Sequence, residues 1–244
     1  MSTEQPAWVL GRKNYGDNGL LVEFFTGEWG RCGAVVRGAH RKKRGGSLAS
    51  LLQPFQPLLV SMVGRGELKT VRQVEAPSAG YSLHGEALIH GLYINELLVR
   101  VLPRFDALPQ LFIAYGRAAE QLGVGPSEST LRRFELALLS ELGYRLNLQT
   151  DEHGEIIQET LHYRYESERG LCAAGVGEAR SDAAVLSGEQ LVRIEQWCDE
   201  ERDLEPGDLG VLKRLTRVAM TQITSGRTLH TQALVRNLRS HQRG

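Results

Sequence analysis

The chain has 244 residues, 41% hydrophobic and 24% charged, and its 29 Lys and Arg are matched by 29 Asp and Glu. That length and composition suit one large or two small globular domains and exclude a disordered or collagen-like chain. A formal charge of zero, taken whole, also argues against a strongly basic nucleic-acid binder.

Glu4, Arg12, Lys13 and Asp17 interrupt the first twenty residues, which excludes the apolar core of a signal peptide. Up to about residue 76 the chain reads as short β-like runs: Ala7–Leu10, Leu20–Thr26, Cys32–Arg37, Leu58–Val63 and Leu68–Glu75. Turn signals separate them, at Tyr15–Gly19, Gly27–Gly30 and Gly64–Gly66. Most of these runs have no helix-length crossover between them, which predicts a small barrel rather than an open parallel sheet. Trp8, Phe24 and Phe55 are expected in its core. The longest uncharged stretch, Gly45–Gly64, holds two prolines, three serines and two glutamines, so a membrane span is not expected and a cytoplasmic protein is.

A boundary is expected at Ala76-Pro77-Ser78-Ala79-Gly80, giving a barrel domain over 1–79 and a mainly helical domain over 80–244. The first helix carries Leu88, Leu92, Asn95, Leu98, Val99 and Leu102 as one stripe and stops before Pro103. A second covers Ala107–Leu122. A third is capped by Ser127, faces inward with Leu131, Phe134, Leu138 and Leu142, and ends at Gly143. A small β-hairpin insert follows near 155–176, where Leu161, Tyr163 and Tyr165 alternate. Further helices are expected near 187–200, 208–225 and 231–240.

Summing charge by segment changes the first impression. Residues 1–76 hold 11 Lys and Arg against 6 Asp and Glu, a net of +5; residues 77–210 hold 11 against 23, a net of −12; residues 211–244 hold 7 against none. A basic head, an acidic middle and a basic tail point to a nucleic-acid or acidic partner at one or both ends.

Catalytic signatures are absent: there is no GxxxxGK[ST], GxSxG or HExxH. Gly123-Val124-Gly125 and Gly175-Val176-Gly177 lack the third glycine of a dinucleotide loop and read as turns. His84, Glu86 and His90 lack the PCxxC half of a deaminase zinc site and read as the solvated start of a helix. Asp151, Glu152, His153, Glu155 and His162 have hard-metal chemistry, but a polar loop entering a hairpin has the same composition. Cys32, Cys172 and Cys198 form no CxxC pair, and Cys172 and Cys198 read as small buried hydrophobes. No nucleophile, cofactor site or metal site is expected, and the chain does not read as an enzyme.

The densest feature runs from Arg37 through His40, Arg41, Lys42, Lys43 and Arg44, with glycines on either side. Five permanent cations in eight residues attract a phosphate backbone through counterion release without reading base sequence. A loop between two barrel strands is also a usual ligand-gripping position in OB-folds. Arg12, Lys13, Arg65, Lys69 and Arg72 widen the basic track. Tyr15 and Trp29, both in turns, offer stacking surfaces for bases or simply belong to those turns. The residues alone fit a DNA binder, an OB-fold RNA-binding protein, or an adaptor for an acidic protein partner.

Six longer motifs occur in order: Ala7-Trp8-Val9-Leu10, Gly38 with its basic run, Leu52-Gln53-Pro54-Phe55, Gly64-Arg65-Gly66-Glu67-Leu68-Lys69-Thr70, the stretch from Gly91 to Leu98, and the stretch from Leu131 to Leu139. Over about residues 7–170, and weakly through the basic tail, the chain resembles the RecO family of bacterial recombination mediators, in its proteobacterial branch. The resemblance implies an N-terminal OB-fold barrel followed by a helical domain, an α+β architecture. It implies binding of single- and double-stranded DNA, annealing of complementary strands, and contact with the acidic C-terminal tail of single-strand binding protein. It also implies work with RecR, and through it the loading of RecA, with the protein at the nucleoid when acting. Many members carry a four-cysteine zinc site, but residues 145–180 hold only Cys172, so a metal-free remnant is expected there. For the acidic tail, Arg132 or Arg133 is the expected cation, with Leu97, Leu98 and Leu139 as slot walls; equally, these are solvated helix charges and core leucines.

Overall fold

The computed structural model describes residues 4–41, 46–175, 185–198, 204–224, 226 and 229–231. The described residues of Met1–Ser127 and Thr228–Gly244 form one compact unit, and those of Glu128–Arg227 the other.

In the first unit, β1 (Glu4–Tyr15), β2 (Gly19–Thr26), β3 (Gly30–Val36), β4 (Leu58–Val63) and β5 (Leu68–Glu75) close into a barrel of order β1-β2-β3-β5-β4. Only the β3–β5 pairing is parallel, with Gly33 opposite Leu68 and Val35 opposite Thr70. The strand alternation does the sorting. Leu20, Val22 and Phe24 on β2 and Cys32, Ala34 and Val36 on β3 point inward, where Val9, Val60 and Met62 meet them. The short helix α1 (Leu48–Leu51) and Leu52 close the barrel between β3 and β4, with Ala49 and Leu52 buried.

β1 is longer than its apolar run because it pairs at both ends. Glu4–Ala7 run along β4, and the strand then continues along β2 as far as Tyr15 opposite Gly19. Arg12 and Lys13 therefore sit in a strand. Of the three aromatics expected in the core, Phe24 is there. Trp8 is buried on the outside of the barrel, its ring 5.3 Å from Tyr115, and Phe25 lies 5.4 Å from Phe112 in the same layer. Phe55 packs under Gly91.

That outer layer comes from α2 (Gly85–Val101) and α3 (Pro109–Val124). The apolar stripe expected on α2 is rotated: Leu88 and Val99 are exposed, while Ala87, His90, Gly91, Ile94, Asn95, Leu97 and Leu98 are buried. Asn95 is tolerated there because its Oδ1 accepts the Tyr115 hydroxyl at 2.7 Å. Burial pushes the Tyr115 phenol up, with the Asn95 hydrogen bond opposing. His90, expected to be solvated, is buried in the helix face. With two helices laid on the barrel, the compact unit runs to Ser127, well past the proline-glycine stretch at 76–80.

The second unit contains α4 (Glu128–Glu141), α5 (Gly188–Cys198), α6 (Pro206–Ile223) and a sheet of β6 (His162–Glu166), β7 (Gly170–Ala173) and β8 (Val185–Ser187) in the order β7-β6-β8. The expected hairpin is β6–β7, and β8 adds a third strand on the far side of β6. Leu131, Phe134 and Leu138 of α4 are buried as their spacing predicts. Asp208 at the start of α6 takes two 2.8 Å hydrogen bonds from Arg193 of α5, which raise the pKa of that guanidinium. The helix expected over 231–240 lies outside the described residues, apart from Thr231.

Candidate nucleic-acid interface

Three elements meet at the end of the barrel where β1 turns into β2: the 16–18 turn, the segment that leaves β3, and the start of β5. They enclose a cleft of about 490 Å³, lined among others by Tyr15, Asp17, Arg37, Arg41, Leu68 and Lys69.

The segment from Arg37 to Arg41 is held by alternation carried one step past the strand. Ala39 is fully buried in the barrel, so Arg37 and Arg41 on either side are exposed. Gly38 has φ of 63°, a left-handed conformation that favours glycine, and its carbonyl accepts the Arg41 N–H at 3.0 Å. The His40 N–H donates to the Asn18 carbonyl at 3.3 Å, and the Ala49 N–H to the Ala39 carbonyl at 2.9 Å. The loop is thus pinned to the 16–18 turn on one side and to α1 on the other, with its cations facing water.

The cleft brings together four residues expected from the sequence: Tyr15, Arg37, Arg41 and Lys69. Tyr15 is half exposed, as a stacking surface requires. Lys69 sits 4.7 Å from the Phe105 ring and 5.7 Å from the Trp29 ring, and donates to the Gly64 carbonyl at 3.0 Å. Trp29 itself packs against the barrel core, so its ring is less available than that of Tyr15. Among the charged residues of the lining are three cations and one carboxylate, Asp17.

The remaining candidates are spread more widely. Arg12 donates to the Ala49 carbonyl at 2.6 Å and to Gln53 at 2.9 Å, a brace between β1 and α1. Lys13 is exposed beside it, and the His40 ring lies 3.3 Å from Asn14 Oδ1. Arg65 is exposed in the β4–β5 loop and Arg72 on β5. Lys42, Lys43 and Arg44 lie outside the described residues.

A cation the sequence reading missed is Arg104, which it summed into the acidic middle. The connection between α2 and α3 runs beside β3, with a bridge between Arg31 and Arg104 and the Phe105 N–H donating to the Arg31 carbonyl at 3.0 Å. Arg104 pairs with Glu23 at 3.1 Å, and Arg31 pairs with the other oxygen of the same carboxylate at 3.4 Å and donates to the Val99 carbonyl. Burial lowers the pKa of Arg31, with Glu23 opposing and Arg104 adding to the effect. The one signal in the sequence was Gly33, a glycine inside a strand run.

The slot expected for an acidic peptide is corrected. Leu97, Leu98 and Leu139 are each fully buried, the first two in one unit and the third in the other, and offer no wall to an incoming chain. Arg132 is buried too, bound to Glu135 at 2.7 Å and to the Thr216 hydroxyl at 2.9 Å. Arg133 is half-buried, its guanidinium 4.0 Å from the centre of the Trp197 ring.

Among the described residues no group of three or more His, Cys, Asp and Glu is placed to hold a metal ion. Asp151 Oδ1 accepts the backbone N–H groups of His153 and Glu155 at 2.9 and 3.0 Å, so that loop spends its carboxylate on its own backbone. Cys32 is buried and its thiol is pushed up to about 12, mainly by burial; Cys172 is buried, but Cys198, expected inside, is exposed. No helix among the described residues is long and apolar enough to cross a membrane.

Comparison with known proteins agrees with this architecture. A family model described as the N-terminal part of recombination protein O matches residues 1–79, and one for its C-terminal part matches 83–222. The chain is 40% identical to the DNA repair protein RecO of Halorhodospira halophila, covering 96% of this chain and 97% of that one. It is 37% identical to that of Azoarcus sp. (96% and 96%) and 39% identical to that of Escherichia coli O1:K1 (95% and 93%). With both halves matched and relatives alike over nearly their full length, the chain belongs to the recombination protein O (RecO) family.

Proposed function

We propose that the chain is a non-enzymatic recombination mediator that binds and anneals single-stranded DNA. With RecR it would help to load RecA onto strands covered by single-strand binding protein. The coarser statement, a role in DNA repair and recombination, follows from the family. The binding of single strands is supported by one observation: Arg37, Arg41 and Lys69 line a single cleft at the barrel end together with the exposed ring of Tyr15.

Annealing requires the repulsion between two phosphate chains to be screened while base edges stay free to pair. Arginines and lysines aimed at the backbone do this, and an aromatic surface orders bases without reading their identity. The proposed partners are single- and double-stranded DNA, RecR and the acidic tail of single-strand binding protein, with RecA engaged indirectly. For that tail, Arg133 is better placed than the buried Arg132.

The test is annealing of complementary oligonucleotides in the absence of ATP, with the wild-type chain and with Arg37→Ala/Arg41→Ala. The proposal expects annealing that the double variant loses. No acceleration by the wild-type chain would overturn it. Equal binding to an RNA strand of the same sequence, without annealing, would favour the RNA-binding reading.

A further inference from the structure

We propose that Arg104 is a phosphate-binding residue that completes a strand path along the outward face of β3. The proposal rests on the reading of the barrel as the DNA site. It adds a binding group from outside the barrel, on the segment between α2 and α3.

The placement begins with Gly33. A glycine within a strand is costly and marks a close approach. Here a Cβ built on Gly33 would lie 2.9 Å from Arg104 Nη1, 3.5 Å from Glu23 Oε2 and 3.6 Å from Leu68 Cδ1. The Arg104 guanidinium therefore occupies the space over β3 that a side chain at 33 would fill. Glu23 holds it there at 3.1 Å, and the Arg104 side chain remains 38% exposed, the most accessible member of the Arg31–Glu23–Arg104 cluster. Two arginines share one carboxylate, which leaves the cluster cationic. A guanidinium pre-oriented by a carboxylate and open to water on its remaining donors suits a phosphate oxygen.

The path follows from strand alternation. Cys32, Ala34 and Val36 face the core, so Arg31, Gly33 and Val35 face outward, and Arg37 follows. Leu68 and Thr70 flank this row on β5. From Gly33 to Arg37 the strand rises about 13 Å, at roughly 3.3 Å per residue. The Arg104 guanidinium over Gly33 thus marks one end of an outward strip, and Arg37 and Arg41 mark the other. Gly33 lies under that guanidinium and Val35 is buried, so a single strand passes over Arg104 and the exposed Leu68 rather than on the β3 backbone, with phosphate-binding groups at both ends.

The test is binding of a single-stranded oligonucleotide across a salt series to the full chain and to Arg104→Ala, Arg104→Lys, Gly33→Ala and Arg37→Ala, with a thermal midpoint for each. Gly33→Ala keeps every charge but places a Cβ 2.9 Å from Arg104 Nη1, so the tip of that side chain must shift. The proposal expects Arg104→Ala to weaken binding about fivefold and to flatten the slope of log K against log salt by about 0.7, Arg104→Lys to restore the slope, and Gly33→Ala to weaken binding by a smaller factor. If Arg104→Ala and Gly33→Ala both leave affinity and slope unchanged while Arg37→Ala weakens binding, Arg104 is a structural ion pair and the proposal falls with the barrel reading intact. If Arg37→Ala is also without effect, the barrel reading itself falls. Should Arg104→Ala fail to fold, Arg104→Gln, which removes the charge and keeps a polar side chain, decides.

Discussion

Tyr15 and Glu96 show how single residues carry the two tasks of the first unit. Tyr15 closes the cleft with a half-exposed ring between a strand end and a turn. If one base stacks on it, Tyr15→Ala weakens single-strand binding by about 1–3 kcal/mol, whereas Tyr15→Phe does not, and fluorescence titration separates the two. Glu96 on α2 accepts the backbone N–H groups of His230 and Thr231 at 2.6 and 2.9 Å and the Thr231 hydroxyl at 2.8 Å, with Arg100 at 3.4 Å. Burial works against its charge, but these partners more than offset it, and the carboxyl is held below its usual range. A depressed folded pKa gives stability that is fully present above the ordinary carboxylate value of about 4.3 and lost as pH falls through the lower folded value. Glu96→Ala is therefore expected to lower stability at pH 7 by about 2 kcal/mol, and the gap from wild type to close in acid. A gap that does not narrow at all as the pH falls below the ordinary carboxylate value would show that packing, not charge, is what was lost.

At the scale of elements, α4 and α6 are joined by a buried charge. Arg132 binds Glu135 and Thr216, so Arg132→Ala removes the buried cation that faces the Glu135 carboxylate, a loss of about 3 kcal/mol. Arg133→Ala, by contrast, gives up a cation–π contact of about 1 kcal/mol and is expected to weaken binding of an acidic peptide tail. A stable Arg132→Ala that loses peptide binding would reverse that assignment.

The pattern of these elements was only partly legible beforehand. β4 and β5 appear as runs with the same ends they have in the fold, because alternation and flanking glycines mark both. The second half of β1 was hidden, since Arg12-Lys13-Asn14 has no apolar signal and is a strand only because β2 continues beside it. β8 is three residues long and exists through its pairing with β6. The stripe on α2 was rotated because His90 was read as solvated although it is buried, while Leu88 and Val99, although apolar, face water; Asn95, placed in the stripe, is buried as expected. Arg37 and Arg41 were legible from charge density. Arg104 was not, because its nearness to β3 depends on how the α2–α3 connection passes the barrel.

For the whole molecule, the zero formal charge is an average over parts with different tasks. The barrel segment carries +5 and the middle −12, and the cleft takes its three cations from the barrel segment alone. An acidic remainder lowers the pull on any polyanion at long range, while short-range contacts in the cleft persist. Glu120→Gln, Glu155→Gln and Glu159→Gln, all at exposed positions, are together expected to tighten DNA binding about threefold at low salt and to have no effect at high salt. Equal affinity at low salt would mean that the middle segment does not restrain binding.

The central claim is that the cleft at the β1–β2 end of the barrel grips the DNA backbone. The most direct measurement is the salt dependence of single-strand affinity for the wild-type chain and for Arg37→Ala/Arg41→Ala. The double variant is expected to flatten the slope of log K against log salt by about 1.4, two phosphate contacts at roughly 0.7 each, with the fold unchanged by thermal melting. A slope identical to that of wild type, with both proteins folded, would contradict it.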